Sequence, residues 1–210
     1  MNGHSRILIG NSRLVGDLCV SEKARGLIVF AHGRGSGRNS RRNLQVAQTL
    51  QRQGFATLLF DLLTEAEAAD ILQVFDIELL ALRLQAVPAS LPPAAQGLPM
   101  GLFGASTGAA AAFVAAARQP EIWSAVVSRG GRPDLAHSYL EHVRAASLLI
   151  VGAADSEVLA LNRAAFKYLR CEKRIEVVPR ASHLFEEAGT LHTAAMLASA
   201  WFNDHLAKPA

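Results

Sequence analysis

The stretch that most restricts this chain lies near its middle, Met100 to Val114, MGLFGASTGAAAAFV. It reads as a short apolar strand, a turn built on Gly104-Ala105-Ser106-Thr107-Gly108, and an alanine-rich helix. A turn this sharp forces its central residue into strained backbone geometry and points that side chain outward above the sheet edge. Strand and helix crowd each other at the junction, so the residues two positions either side of Ser106 must be tiny; Gly104 and Gly108 are. A Gly-x-Ser-x-Gly pattern alone turns up by chance in about one chain of this length in fifteen. Its weight comes from sitting where a strand ends and a helix begins. That context makes Ser106 the candidate nucleophile, against the alternative of a structural turn serine.

The rest of the chain alternates strands and helices. Arg6 to Ile9 and Leu14 to Val20 read as an antiparallel hairpin at a sheet edge, joined by Gly10-Asn11-Ser12. Gly26–Ala31 and Ala56–Phe60 are continuous apolar runs, as in parallel strands buried on both faces. Between them lie a Gly-rich loop, His32 to Asn39, and a helix from Asn43 to Gln53 stopped by Gly54. Thr64 and Glu67 have capping-box spacing. Residues 64–87 read either as one helix or as a loop followed by a helix from near Asp76, ended by Pro88. After a connector over 89–98 come the strand 99–103 and the helix 107–118, whose run Ala109 to Ala112 lacks a polar face and belongs under the sheet. Strands at Trp123–Val127, Ser147–Val151 and Lys173–Val178, the last with edge-strand alternation, interleave with helices at Leu135–Arg144, Ser156–Leu169 and Thr190–Leu206. The expected fold is α/β: a doubly wound, mostly parallel sheet with an antiparallel N-terminal hairpin and no large cap, one domain over 1–210.

Composition narrows the function. Half of the residues are apolar and 19% are charged, which suits a globular core. A net charge of +3 is too mild to argue for nucleic acid. MNGHSRILIG has no apolar run behind a basic cluster, and no stretch of about 18 uncharged apolar residues occurs, so neither a signal peptide nor membrane contact is expected. Cys19 and Cys171 lack metal-ligand spacing and read as free thiols of a cytoplasmic protein. The loop HGRGSG lacks the Lys-Ser/Thr ending of a P-loop and is not G-x-G-x-x-G, which argues against a nucleotide. No metal or cofactor is called for, and nothing in the sequence specifies an oligomeric state.

The turn around Ser106 resembles the nucleophile elbow of the α/β-hydrolases. In that fold the chain order is serine, acid, histidine, each on a loop after a strand. Of the histidines after Ser106, His137, His142, His192 and His205 fall on expected helices. Only His183, in RASHLFEE, sits in a loop after a strand, and it is the candidate base; imidazole titrates near neutrality. Asp155, after the strand SLLIVG, is the candidate acid. Asp134 and Glu157 are its competitors, and its bland alternative is a helix N-cap. The oxyanion hole is expected from the N–H groups of Thr107 and of Arg34 or its neighbour Gly33. His32 is expected to brace the base of that loop.

From Lys23 to Phe60 there is no acidic residue, but there are Lys23, Arg25, Arg34, Arg38, Arg41, Arg42 and Arg52. The bland reading is a solvated basic face. The sharper one is a mouth that attracts anionic substrates, with Arg34, Arg38, Arg41 and Arg42 around the oxyanion loop, Arg38 and Arg41 foremost, and Arg129 as a carboxylate clamp.

The segments FAHGRGSGRNSRRN, ATLLFDLLT, GLFGASTGAAAA, SRGGRPDLA, LLIVGAADSEVLALN and SHLFEE together resemble the dienelactone hydrolase-like branch of the α/β-hydrolases. Among its members they are most similar to small serine hydrolases found alone or fused to a phosphoribosyltransferase domain. The resemblance implies a Ser106, Asp155, His183 triad, no cofactor, and cleavage of an ester, lactone or thioester of a small substrate through an acyl-enzyme. Dienelactone hydrolase proper has cysteine where this chain has Ser106, so the family name does not fix the substrate. The rivals are acyl transfer on the same triad and a non-catalytic binding module with this fold.

Overall fold

A computed structural model describes residues 2–206. One sheet of eight strands organises it, in the order β1-β2-β4-β3-β5-β6-β7-β8. β1 (Asn2–Ile9) and β2 (Leu14–Ser21) form the antiparallel hairpin at one edge, and β2 pairs antiparallel with β4 (Ala56–Phe60). From β4 onward every neighbour is parallel: β3 (Leu27–Ala31), β5 (Met100–Ala105), β6 (Trp123–Arg129), β7 (Ala146–Gly152) and β8 (Lys173–Val178). The hairpin and the two edges are as the sequence predicts.

Period-two alternation divides the core into two layers. Ile28 and Phe30 of β3 face α1 (Arg41–Arg52) and α8 (Thr190–His205), where Val46, Leu50, Ala198 and Phe202 are buried. Leu27 and Val29 face the other layer, built on α4 (Ile77–Gln85) and α6 (Thr107–Arg118). Helix α6 is buried from Thr107 to Ala116. It packs on the sheet, on α4 and on the 3₁₀ segment Pro133–His142 at once, and its buried positions are mostly alanine, with Phe113 and Val114 as the large exceptions. No helix among the described residues is long and apolar enough to cross a membrane.

Several expectations differ from the structure. Residues 64–87 form neither a single helix nor a plain loop before one. They hold α2 (Glu65–Ala69), α3 (Ile71–Val74) and α4, followed by α5 (Val87–Ser90). The capping box at Thr64 and Glu67 is present, but Asp70 and Asp76 each accept from a backbone N–H downstream and restart the chain as a new helix. Pro88 lies in the first turn of α5, where a missing N–H costs nothing, and so does not stop it. The segment expected as an α-helix at Leu135–Arg144 is 3₁₀, entered through Pro133 and kinked at Ala136. Helix α7 (Ser156–Phe166) ends three residues earlier than Leu169.

Candidate active site

The carboxyl ends of β3, β5, β6, β7 and β8 converge, where ligands bind in open α/β sheets. Ser106 follows β5 with φ 52° and ψ −126°, strained for a residue with a Cβ. The surroundings enforce that backbone. The Ser106 carbonyl accepts from the N–H groups of Ala109 and Arg132, each at 3.1 Å. A Cβ on Gly108 would overlap the carbonyl oxygens of Ala31 and His32, and one on Gly104 would overlap Ala109. The two glycines are therefore required by space, as the pattern implies.

His183 lies on the loop after β8, and its Nδ1 is 2.7 Å from Asp155 Oδ2. The loop is held by Ser182 N–H, which donates to Glu187 Oε2 at 3.0 Å, and by the buried ring of Phe185. That N–H also holds the Glu187 carboxyl below the usual carboxylate range. Asp155 is the N-cap residue of α7, yet its side chain caps nothing and reaches His183 instead. The competing acids are elsewhere. Asp134 forms two hydrogen bonds with Arg132, at 2.9 and 2.7 Å. Glu157 lies exposed in the first turn of α7.

Thr107 opens α6, so its N–H has no acceptor within the helix. Arg34 N–H reaches the same point and donates to Thr107 Oγ1 at 3.2 Å. Gly33 presses on the elbow so closely that a Cβ there would lie 2.8 Å from Ser106 Cβ. His32 braces the loop from beneath: Nε2 accepts from Leu62 N–H at 2.9 Å and Nδ1 meets Gly33 O at 3.1 Å. Accepting at Nε2 places the proton on Nδ1, the neutral tautomer. Burial pushes the His32 pKa down, in line with that assignment.

A cavity of about 290 Å³ holds Ser106 and His183 together with Gly33, Arg34, Arg42 and Arg129. A second, of about 340 Å³ and lined in part by Leu63, Ala68, Val74 and Leu80, opens on the other side of the loop Gly33–Ser36. Of the arginines expected at the mouth, Arg34, Arg42 and Arg129 line the cavity, and Arg38 and Arg41 do not. Arg38 turns toward the hairpin side, where it pairs with Asp17 at 3.1 Å and with Asp61. The Asp61 bond raises its pKa further. Arg41 is exposed at the first residue of α1. Arg42 belongs to the arginine cluster that the sequence places around the loop, without being singled out there, and Asn43 is a site residue that the sequence does not suggest. The signal was present in the start of α1: beginning at Arg41 rather than Asn43, the helix places Arg42 and Asn43 in its first turn, and both line the cavity.

No family model matches the chain. Two Mycobacterium tuberculosis proteins, from strains H37Rv and CDC 1551, bear the name of a phosphoribosyl transferase and are each 53% identical to it over 206 residues. That match covers 97% of this chain and 46% of theirs, so the chain spans about half the length of the curated relatives it matches. The crystal structure of a dienelactone hydrolase from Anabaena variabilis is 50% identical, with a TM-score of 0.92, and the match covers 98% of both chains. A dienelactone hydrolase-like promiscuous phosphotriesterase from metagenomic libraries shares the fold at 18% identity and a TM-score of 0.77, over 99% of each chain. The elbow, the sheet order and an end-to-end match at half identity converge on one conclusion: this chain belongs to the dienelactone hydrolase family of the α/β-hydrolases.

Proposed function

We propose that the chain is a serine hydrolase that cleaves an ester, lactone or thioester of a small substrate through an acyl-enzyme on Ser106. The observation that carries this reading is Asp155. It occupies a helix N-cap yet leaves the helix uncapped and binds the imidazole of His183 at 2.7 Å. A capping carboxylate stabilises a helix by about 1 kcal/mol, and giving that up makes sense where the carboxylate has other work. Asp155 holds the Nδ1–H tautomer, leaving Nε2 to face the cavity that Ser106 lines. Nε2 takes the Ser106 proton as Oγ attacks the carbonyl carbon. The oxyanion forms against Thr107 N–H and the Gly33–Arg34 loop, where it displaces the Thr107 hydroxyl from Arg34 N–H. Nε2 then protonates the leaving group, and water, deprotonated by the same nitrogen, releases the acid. The apolar cavity beyond Gly33–Ser36 suits the second half of the substrate.

The phosphoribosyl transferase name belongs to proteins about twice as long, and this chain, which matches 46% of them, itself aligns end to end with a dienelactone hydrolase. The free thiols Cys19 and Cys171 accord with a reducing compartment such as the cytoplasm. A fluorophosphonate probe tests the proposal: it labels the wild-type chain and leaves Ser106→Ala unlabelled. Equal labelling of both, or none of either, refutes it. Turnover with added alcohol acceptors separates hydrolysis from acyl transfer.

A further inference from the structure

Asn162, in the second turn of α7, is 0% exposed, and the proposed reaction gives it no part. Its Nδ2 donates to Gly131 O at 2.9 Å and to Val158 O at 2.8 Å. Both neighbours are carbonyls, which only accept, so the amide must present its nitrogen to them. Its Oδ1 meets no partner among the described residues. A buried amide with one end unpaired is less favourable than a leucine of similar volume, so packing alone does not account for the choice. What the amide supplies and leucine cannot is a donor to Gly131 O.

That carbonyl belongs to the peptide Gly131–Arg132, and the N–H of the same peptide donates to Ser106 O at 3.1 Å. Ser106 O in turn belongs to the peptide Ser106–Thr107, whose N–H is the proposed oxyanion donor. A trans peptide is planar, with its C=O and N–H pointing opposite ways, so a bond at one end fixes the direction of the other. A continuous chain therefore runs from Asn162 Nδ2, through Gly131–Arg132 and Ser106–Thr107, to the point where negative charge develops. Each carbonyl that accepts a bond polarises its own peptide and strengthens the N–H at the far end. The first peptide has little freedom to swing away. A Cβ on Gly131 would overlap Ser128 Oγ and Ala109 Cβ, and Gly130 N–H donates to Ile150 O at 2.8 Å.

We propose that Asn162 is a positioning residue that aims and polarises Thr107 N–H toward the oxyanion through these two peptides. The proposal rests on the serine hydrolase reading and deepens it by naming what orients the oxyanion donor. Asn162 lies about two helical turns beyond Asp155, so both side chains leave α7 on the same side. One helix thus orients the imidazole with its N-cap residue and the oxyanion donor with Asn162. As Ser106 Oγ adds to the carbonyl carbon, its proton passes to His183 Nε2, and the carbonyl oxygen takes the negative charge that Thr107 N–H meets. That contact strengthens as the charge grows, so the gain falls in the transition state and not in substrate binding.

The test measures hydrolysis of p-nitrophenyl acetate and inhibition by an alkyl trifluoromethyl ketone, to which Ser106 Oγ adds to give a tetrahedral oxyanion. Asn162→Leu removes the donor at similar volume. Asn162→Ser keeps a hydroxyl that can serve Val158 O but stops short of Gly131 O. Each is expected to lower kcat ~10-fold or more with KM little changed, a part of the ~100- to 1,000-fold lost when an oxyanion donor is removed. Affinity for the ketone is expected to fall by the same factor as kcat/KM. Ala165→Gly loosens the same helix without touching the chain of peptides; it is expected to lower the thermal midpoint and keep kcat and ketone affinity within ~2-fold of wild type. A merely structural role for Asn162 would lower the midpoint and leave both readouts unchanged wherever the variant is folded. Should Asn162→Leu fail to fold, Asn162→Ser decides the matter, and where turnover of the acetate is too slow to measure, ketone affinity does. Folded variants within ~3-fold of wild type, a rise in KM alone, or an equal loss in Ala165→Gly overturns the positioning role and leaves the Ser106 reading standing. No turnover by the wild type together with no fluorophosphonate labelling overturns that reading, and the role of Asn162 with it.

Discussion

Replacing Asp155 by asparagine removes one charge and almost no volume. In the transition state of the proposed mechanism, the imidazole of His183 becomes a cation, with its Nδ1 2.7 Å from the Asp155 carboxylate oxygen. Two unit charges at that distance attract by about 6 kcal/mol at an effective dielectric constant of 20. The His183 side chain is 39% exposed, and solvent screening lowers the useful part to about 4 kcal/mol. That alone slows acylation ~1,000-fold. Asparagine can also donate to Nδ1 and so favour the tautomer that protonates Nε2, which in serine proteases brings the loss to ~10,000-fold. Asp155→Asn is therefore expected to lower kcat for a neutral p-nitrophenyl ester ~1,000- to 10,000-fold with KM little changed. Helix α7 is expected to melt with the wild type, because the Asp155 side chain does not cap it. The assay is steady-state hydrolysis, with the rate of fluorophosphonate labelling as a second readout and circular dichroism as the folding control. Asp134→Asn and Glu157→Gln are expected to stay within a few-fold of wild type, since Asp134 is bound to Arg132 and Glu157 faces solvent. A loss below tenfold for Asp155→Asn, or an equal loss for Asp134→Asn, refutes the reasoning.

Two further outcomes follow from the frame of the site. Gly108→Ala drives a methyl group into the carbonyls of Ala31 and His32, backbone that cannot turn aside, and is expected to cost about 3 kcal/mol or more by urea denaturation; a cost within ~0.5 kcal/mol would mean the elbow is looser than its contacts imply. The pKa of His32 is lowered by burial, so below the ordinary imidazole value of about 6.5 the unfolded chain binds a proton that the folded chain refuses. Stability is expected to be full above that pH, to fall as pH drops toward the folded pKa, and to level off below it. His32→Gln, which keeps an acceptor for Leu62 N–H, removes that part of the slope, and an unchanged slope in the urea midpoint against pH refutes the assignment.

The strands and the elbow were legible because each has a local cause. Buried parallel strands are almost continuously apolar, with Thr57 the one polar residue of β3 and β4, and the space between β5 and α6 admits only glycine at positions 104 and 108. The histidine and its aspartate were legible because chain order and loop position leave few choices. The short helices of 65–90 were not, since hydrophobic periodicity runs through Asp70 and Asp76 while capping bonds interrupt the backbone at both. The arginines were the least legible. Arg38, Arg41 and Arg42 look alike in sequence, and what separates them is partly long-range. The antiparallel pairing of β2 with β4 sets Gly16 opposite Phe60 and brings Asp17 and Asp61 to one end of the sheet, where they take Arg38 out of contention.

The strained backbone at Ser106 is held entirely by groups other than its own side chain: the N–H donors of Ala109 and Arg132, the bare α-carbons at 104 and 108, and Gly33 against its Cβ. The elbow is thus a socket indifferent to its occupant. Exchanging the hydroxyl for a thiol leaves every one of those contacts in place, while changing the nucleophile's softness, its acidity and the leaving groups it can expel. A family built on such a socket can carry cysteine in one lineage and serine in another without rebuilding the scaffold. The reaction changes at one position, and the fold need not follow.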